Sequence, residues 1–107
     1  MLATMEIKTY YFIGIGGIGM SAIARYFKTM GHNVFGYDRT ATQLTKDLES
    51  EGIDITYEDD TNHILSANVD LVIYTPAIGQ DNNILQCAKD NNMPLKKRSE
   101  MLGIITK

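Results

Sequence analysis

The glycines at positions 14, 16 and 19 spell G-x-G-x-x-G within Gly14-Ile15-Gly16-Gly17-Ile18-Gly19, and none of them carries a reactive side chain. The chemistry open to such a run is anion binding through backbone N–H groups. The first glycine permits a tight turn. The second lets the backbone approach a diphosphate, and the third lets the following helix pack close to the preceding strand. Gly17 opens the loop further, and the Ser21 hydroxyl is expected to join the N–H groups of the helix start in facing the anion. Asp38 follows Gly19 by nineteen residues, the spacing at which nucleotide-binding folds place an acid for ribose hydroxyls. Together these residues indicate a diphosphate-bearing nucleotide without choosing among such ligands. An NAD-binding domain of a dehydrogenase or of a regulatory sensor therefore stands as one reading.

Other chemistry is thinly represented. His32 and His63 lie far apart with no evident third ligand, so a zinc site is not expected and both read as surface or loop residues. Cys87 is the sole cysteine; it excludes a disulfide framework and reads as a small core residue. The chain contains neither G-x-x-x-x-G-K-[ST] nor a serine in a nucleophile elbow, and no catalytic constellation assembles from it. A chain of 107 residues and net charge −3 fits one domain without the basic footprint of a nucleic-acid binder. Its acids cluster: residues 47–60 hold Asp47, Glu49, Glu51, Asp54, Glu58, Asp59 and Asp60, read as a solvated face or loop, whereas Lys96-Lys97-Arg98 is basic. Neither a membrane-spanning run nor a signal peptide is visible, so a cytoplasmic location is expected.

The elements that must position the glycine loop follow from periodicity. Residues 9–15 are β-branched and aromatic, a buried strand that runs into the loop. The helix after it is expected over 18–30, with Ile18, Ala22, Tyr26 and Met30 stepping by four beside Ile23 and Phe27, and Gly31 ending it. Strands are expected at 33–37, 53–57, 69–75 and 95–98, the third of these stopped by Pro76. Helices are expected at 42–51, in a short turn at 60–65, and after a cap at Asp81 or Asn82. A last helix, capped by Ser99, carries Met101, Leu102 and Ile105. Strict β-α alternation with short connections predicts an α/β fold: a Rossmann-like parallel five-stranded sheet with helices on both faces, one domain over residues 1–107.

Longer segments carry a family resemblance across residues 9–105. Tyr11-Phe12-Ile13-Gly14-Ile15-Gly16-Gly17-Ile18-Gly19-Met20-Ser21-Ala22-Ile23-Ala24 resembles the opening of the bacterial Mur ligases of peptidoglycan synthesis, above all their alanine-adding members. Gly36-Tyr37-Asp38 is similar to that family's G-S-D, and Tyr74-Thr75-Pro76-Ala77-Ile78 with Asp81-Asn82 to its S-S-A-I loop and following D-N. Arg98-Ser99-Glu100-Met101-Leu102 is similar to R-A-E-M-L, and murein-peptide ligases match less well in the glycine loop. The resemblance implies the N-terminal part of a three-domain ligase, inactive alone, that holds UDP-N-acetylmuramate. ATP and Mg²⁺ would belong to the remaining ligase domains, and no cofactor, nucleic acid or membrane is implied for this one. By position, Gly14 makes the turn, and Gly16, Gly17, Ile18, Gly19 and Ser21 would cradle the UDP diphosphate. Asp38 and Arg39 would meet the uridine, Thr75, Pro76, Ala77 and Ile78 would line the same crevice, and Arg98 would contact the ligand or a missing domain. Tyr37 in place of serine, and Thr75-Pro76 in place of S-S, would alter side-chain contacts near the uridine.

Overall fold

Strands and helices alternate without exception in the computed structural model, which describes residues 6–105. The order is β1 (Thr9–Ile13), α1 (Ile18–Thr29), β2 (Asn33–Tyr37), α2 (Gln43–Ser50), β3 (Asp54–Thr56), α3 (Thr61–Leu65), β4 (Leu71–Tyr74), α4 (Asn83–Asp90), β5 (Leu95–Lys97) and α5 (Arg98–Ile105). The five strands form one parallel sheet in the order β3-β2-β1-β4-β5. The chain thus winds outward from β1 in one direction, then returns to its other side, which makes the β1/β4 boundary a topological switch point. Register sets Ile13 opposite both Tyr37 and Tyr74, Tyr37 opposite Thr56, and Tyr74 opposite Lys97. These carboxyl ends form a single row from which every loop toward the next helix departs.

Both faces of the sheet are covered, as right-handed crossovers require. One layer buries Phe12 and Ile73 under Met20, Ile23, Ala24 and Phe27 of α1, Leu48 of α2 and Met101 of α5. The other sets Tyr11, Ile13 and Val72 against Ile64 of α3 and Ile84, Leu85 and Ala88 of α4. Cys87 is buried in this second layer, as its neighbours suggest. Described side chains end at Met101, so the expected burial of Leu102 and Ile105 lies outside them. No helix among the described residues is long and apolar enough to cross a membrane.

Three local expectations need correction. The row Ile18, Ala22, Tyr26, Met30 faces solvent, with Ile18 at 87% exposure, and the inward row is Met20, Ile23, Ala24 and Phe27. Both rows are apolar, and the ring of Phe27 decides by stacking on Tyr10 at a centroid distance of 4.0 Å. Ser99 lies inside α5 instead of capping it; Glu100 accepts the Lys97 N–H at 2.8 Å and secures the helix start two residues earlier than expected. His63 is mostly buried in α3, with Nδ1 at 2.6 Å from the Tyr11 hydroxyl and Nε2 at 3.1 Å from Asp54 Oδ1. A neutral ring protonated at Nε2 satisfies both contacts.

Candidate functional site

The loop between β1 and α1 is held to the end of β2 by its own backbone. Gly14 N–H and Ile15 N–H both donate to the Tyr37 carbonyl, at 2.8 and 3.0 Å. Gly14 has φ +90°, and a Cβ there would lie 2.8 Å from Thr75 Cγ2, so glycine is required twice over. Ile15, fully buried, fits because Gly36 leaves room; a Cβ on Gly36 would come within 2.5 Å of its Cδ1. Gly16 N–H donates to Asp38 Oδ2 at 2.8 Å, and Thr40 N–H donates to Asp38 Oδ1 at 3.0 Å. A Cβ on Gly16 would sit 2.6 Å from Asp38 Oδ2 and 2.9 Å from Thr45 Cγ2. The second glycine of the motif thus admits the aspartate of the next strand. Asp38 is the clamp of the loop itself.

The helix termini around this loop differ sharply in how their N–H groups are satisfied. Thr42 and Thr45 form a reciprocal capping box on α2, and Asp60 caps α3. On α4, Asn82 Oδ1 accepts from Leu85 N–H at 2.8 Å, and Asp59 takes Asn83 N–H at 2.8 Å and Ile84 N–H at 2.9 Å. Helix α1 starts at Gly17 with no side-chain cap and no acid in its first turn. Its Ile18, Gly19 and Met20 N–H groups have no partner among the described residues. Arg98 lies over the same turn: a Cβ on Gly19 would be 3.0 Å from its Nη1 and 3.1 Å from its Cδ. An open helix N-terminus beside a guanidinium is a seat for an anion, because unpaired N–H groups, the helix dipole and a fixed cation all favour negative charge there.

In front of this turn lies a cleft of about 780 Å³ at the carboxyl edge of the sheet. That is the size range of small-molecule sites. Gly14, Gly17, Ile18, Gly19, Asp38, Arg39, Thr75, Ala77, Ile78 and Arg98 all line it, which brings ten of the thirteen expected residues together. The other three are placed elsewhere. Gly16 is tucked behind the loop against Asp38. Ser21 is 3% exposed and donates its hydroxyl to the Ile18 carbonyl at 2.9 Å, so it serves the helix instead of the cleft. Pro76 is exposed and is not among the residues that line the cleft. Sequence reasoning had not placed Met20, Thr40, Asp59, Gly79, Asp81 and Asn82 in the wall, and had flagged Tyr37, which also lines it, only as a departure near the uridine. Asp59 was hidden in the acidic run read as solvated; its partners are 24 and 25 residues away, beyond any local pattern. Burial first, and then the nearby Asp59 charge, raise the Tyr37 phenol above its ordinary pKa.

The sequence pattern described as "Mur ligase family, catalytic domain" matches residues 9–107. The chain belongs to the Mur ligase family. Among curated Mur ligases, the UDP-N-acetylmuramate–L-alanine ligase of Christiangramia forsetii is 49% identical over 106 residues, which are 94% of this chain and 24% of that protein. The chain therefore spans about a quarter of the length of the relatives it matches. Among solved structures, the UDP-N-acetylmuramate-alanine ligase of Thermotoga maritima superposes with a TM-score of 0.80 at 35% identity, covering 91% of this chain and 22% of that one. The UDP-N-acetylmuramate:L-alanyl-gamma-D-glutamyl-meso-diaminopimelate ligase of Neisseria meningitides gives a TM-score of 0.82 at 22% identity, over 91% of this chain and 30% of that one, a likeness of fold alone. With the Mur ligase family shown, the five-stranded Rossmann-like reading stands and the dehydrogenase reading is not favoured.

Proposed function

We propose that residues 1–107 form the UDP-sugar-binding domain of a UDP-N-acetylmuramate–L-alanine ligase, an ATP-dependent enzyme of peptidoglycan precursor synthesis in the cytoplasm. The observation that carries this reading is the uncapped start of α1 with Arg98 across it, facing the cleft. The diphosphate takes the N–H groups of Ile18, Gly19 and Met20, and the Arg98 guanidinium supplies the countercharge. The uridine extends over the end of β2, beside Asp38 and Arg39. Thr75, Ala77 and Ile78 at the end of β4 form the opposite wall, at the switch point where open α/β sheets bind ligands. Asp38 acts here by fixing the loop, since both its oxygens already accept backbone N–H groups. Its remaining lone pairs stay available to a ligand hydroxyl.

The sequence has no G-x-x-x-x-G-K-[ST], and no group of three or more metal-ligating side chains occurs among the described residues, so ATP and Mg²⁺ are assigned to the remaining ligase domains. The role of the described residues is to bind and orient the UDP sugar, with those domains as partners in the reaction. Isothermal calorimetry tests this directly. Saturable binding of UDP-N-acetylmuramate, displaced by UDP and not by NADH, is the expected result. Absence of heat at millimolar UDP-N-acetylmuramate, or tight NADH binding untouched by UDP, would overturn it.

A further inference from the structure

Tyr37 is the last residue of β2, and its ring is packed in the core layer shared with Ile13, Ile64 and Ile84. Only 5% of the residue is exposed. Its hydroxyl makes no hydrogen bond among the described residues, in contrast to those of Tyr11 and Tyr57, which are bonded to His63 and Glu49. Yet no buried side-chain polar atom is left unsatisfied among the described residues. The hydroxyl of Tyr37 therefore keeps some contact with solvent, and Tyr37 is one of the residues that line the cleft. The charged side chains that act on it from that wall are Asp59, Arg39 and Asp38. Asp59 accepts two backbone N–H groups of α4 and Asp38 accepts two of the loop, and neither is paired with the Tyr37 hydroxyl. The phenol proton thus has no hydrogen-bond acceptor among the described residues, on a residue that lines the cleft. A phenol keeps its proton at neutral pH, and burial shifts the pKa of this one further upward.

Strands β1 and β2 are adjacent, so Tyr37 stands about 5 Å across the sheet from the strand that leads into the diphosphate seat. A nucleoside diphosphate anchored at α1 and running along the end of β2 brings its base to this hydroxyl. Uracil presents two carbonyl oxygens, both acceptors. Resting on the function proposed above, we infer that the Tyr37 hydroxyl donates a hydrogen bond to a carbonyl oxygen of the uracil ring and so contributes to selection of the base. A buried ring holds the hydroxyl in one place, which costs little further ordering when the ligand arrives.

The test combines Tyr37→Phe with sulfur-substituted ligands, since a thiocarbonyl is a poorer acceptor. Calorimetry on the purified protein would compare UDP, 2-thio-UDP and 4-thio-UDP. Tyr37→Phe is expected to weaken UDP binding about three- to tenfold, the range for one net hydrogen bond. One of the two thio ligands should bind the unmodified protein more weakly by a similar factor, and should bind Tyr37→Phe no more weakly than UDP does. The inference is overturned if Tyr37→Phe binds UDP like the unmodified protein, or if both thio ligands bind the unmodified protein as UDP does. The thio comparison needs no variant, so it stands even where Tyr37→Phe folds poorly. Failure of the unmodified protein to bind UDP at all would instead bring down the functional reading itself.

Discussion

Replacing Gly16 with alanine separates two reasons for a glycine in the second position of the motif. If the residue is small to admit a diphosphate, the substitution harms ligand binding and leaves the unliganded fold intact. The geometry says otherwise, because the added Cβ meets Asp38 Oδ2 at 2.6 Å and Thr45 Cγ2 at 2.9 Å. The carboxylate must leave the Gly16 N–H, and a hydrogen bond to a charged acceptor contributes about 1.5–3 kcal/mol. Thr45 is fully buried and locked in the capping box of α2, so overpacking adds about 1–3 kcal/mol. Asp38 can relax part of the way, and a loss of about 3 kcal/mol is the expected sum. For a domain of this size that lowers the melting temperature by roughly 10–20 °C. The neighbouring Gly17→Ala places its Cβ no closer than 3.7 Å to any atom, and it should cost no more than about 1 kcal/mol. Thermal melts followed by far-UV circular dichroism, without ligand, compare the two. Adding Asp38→Ala should reduce the penalty of Gly16→Ala, since one of its two clashes is then gone. The reasoning fails if Gly16→Ala melts alongside the parent, or if its penalty is the same with and without Asp38.

Three further outcomes are expected. Asp59→Ala removes both caps from the first amides of α4 and should destabilise the protein by about 2 kcal/mol, with faster hydrogen exchange at Asn83 and Ile84; unchanged exchange there would contradict it. Arg98→Ala should weaken UDP binding about tenfold while melting close to the parent, and lysine at 98 should restore it only in part, because a point charge cannot replace a planar fork. Burial raises the Tyr11 phenol pKa, so its neutral form contributes stability that is complete below the unfolded value of 10.0 and is lost as pH rises beyond it. Melting curves taken from pH 9 upward should therefore fall less steeply for Tyr11→Phe than for the parent, and parallel curves would refute the assignment.

The order of elements and the place of the glycine run were legible because both rest on short-range patterns. Residues 9–15 read as a strand and Gly31 as a helix end, and in the structure Gly31 takes φ +95° just past α1. What escaped were features decided across the sheet. The two apolar rows of α1 are equivalent in sequence, and only the sheet beneath shows that Met20, Ile23, Ala24 and Phe27 face inward. Asp38 was recognisable by position but not by role, since its bond to Gly16 spans 22 residues. Asp59 and His63 looked like solvated residues until the fold brought α4, Tyr11 and Asp54 to them. Tyr37 stood out only as a departure from a serine, and its buried ring and unpaired hydroxyl become meaningful once the cleft exists.

The central claim is that the open N-terminus of α1 holds the diphosphate of a UDP sugar. Amide chemical shifts of ¹⁵N-labelled protein titrated with UDP-N-acetylmuramate test it most directly. The account predicts saturable shifts that are largest at the Ile18, Gly19 and Met20 amides, together with the Arg98 side-chain Nε. Shifts centred instead on the capped amides of α4, or no saturable change at α1, would contradict it.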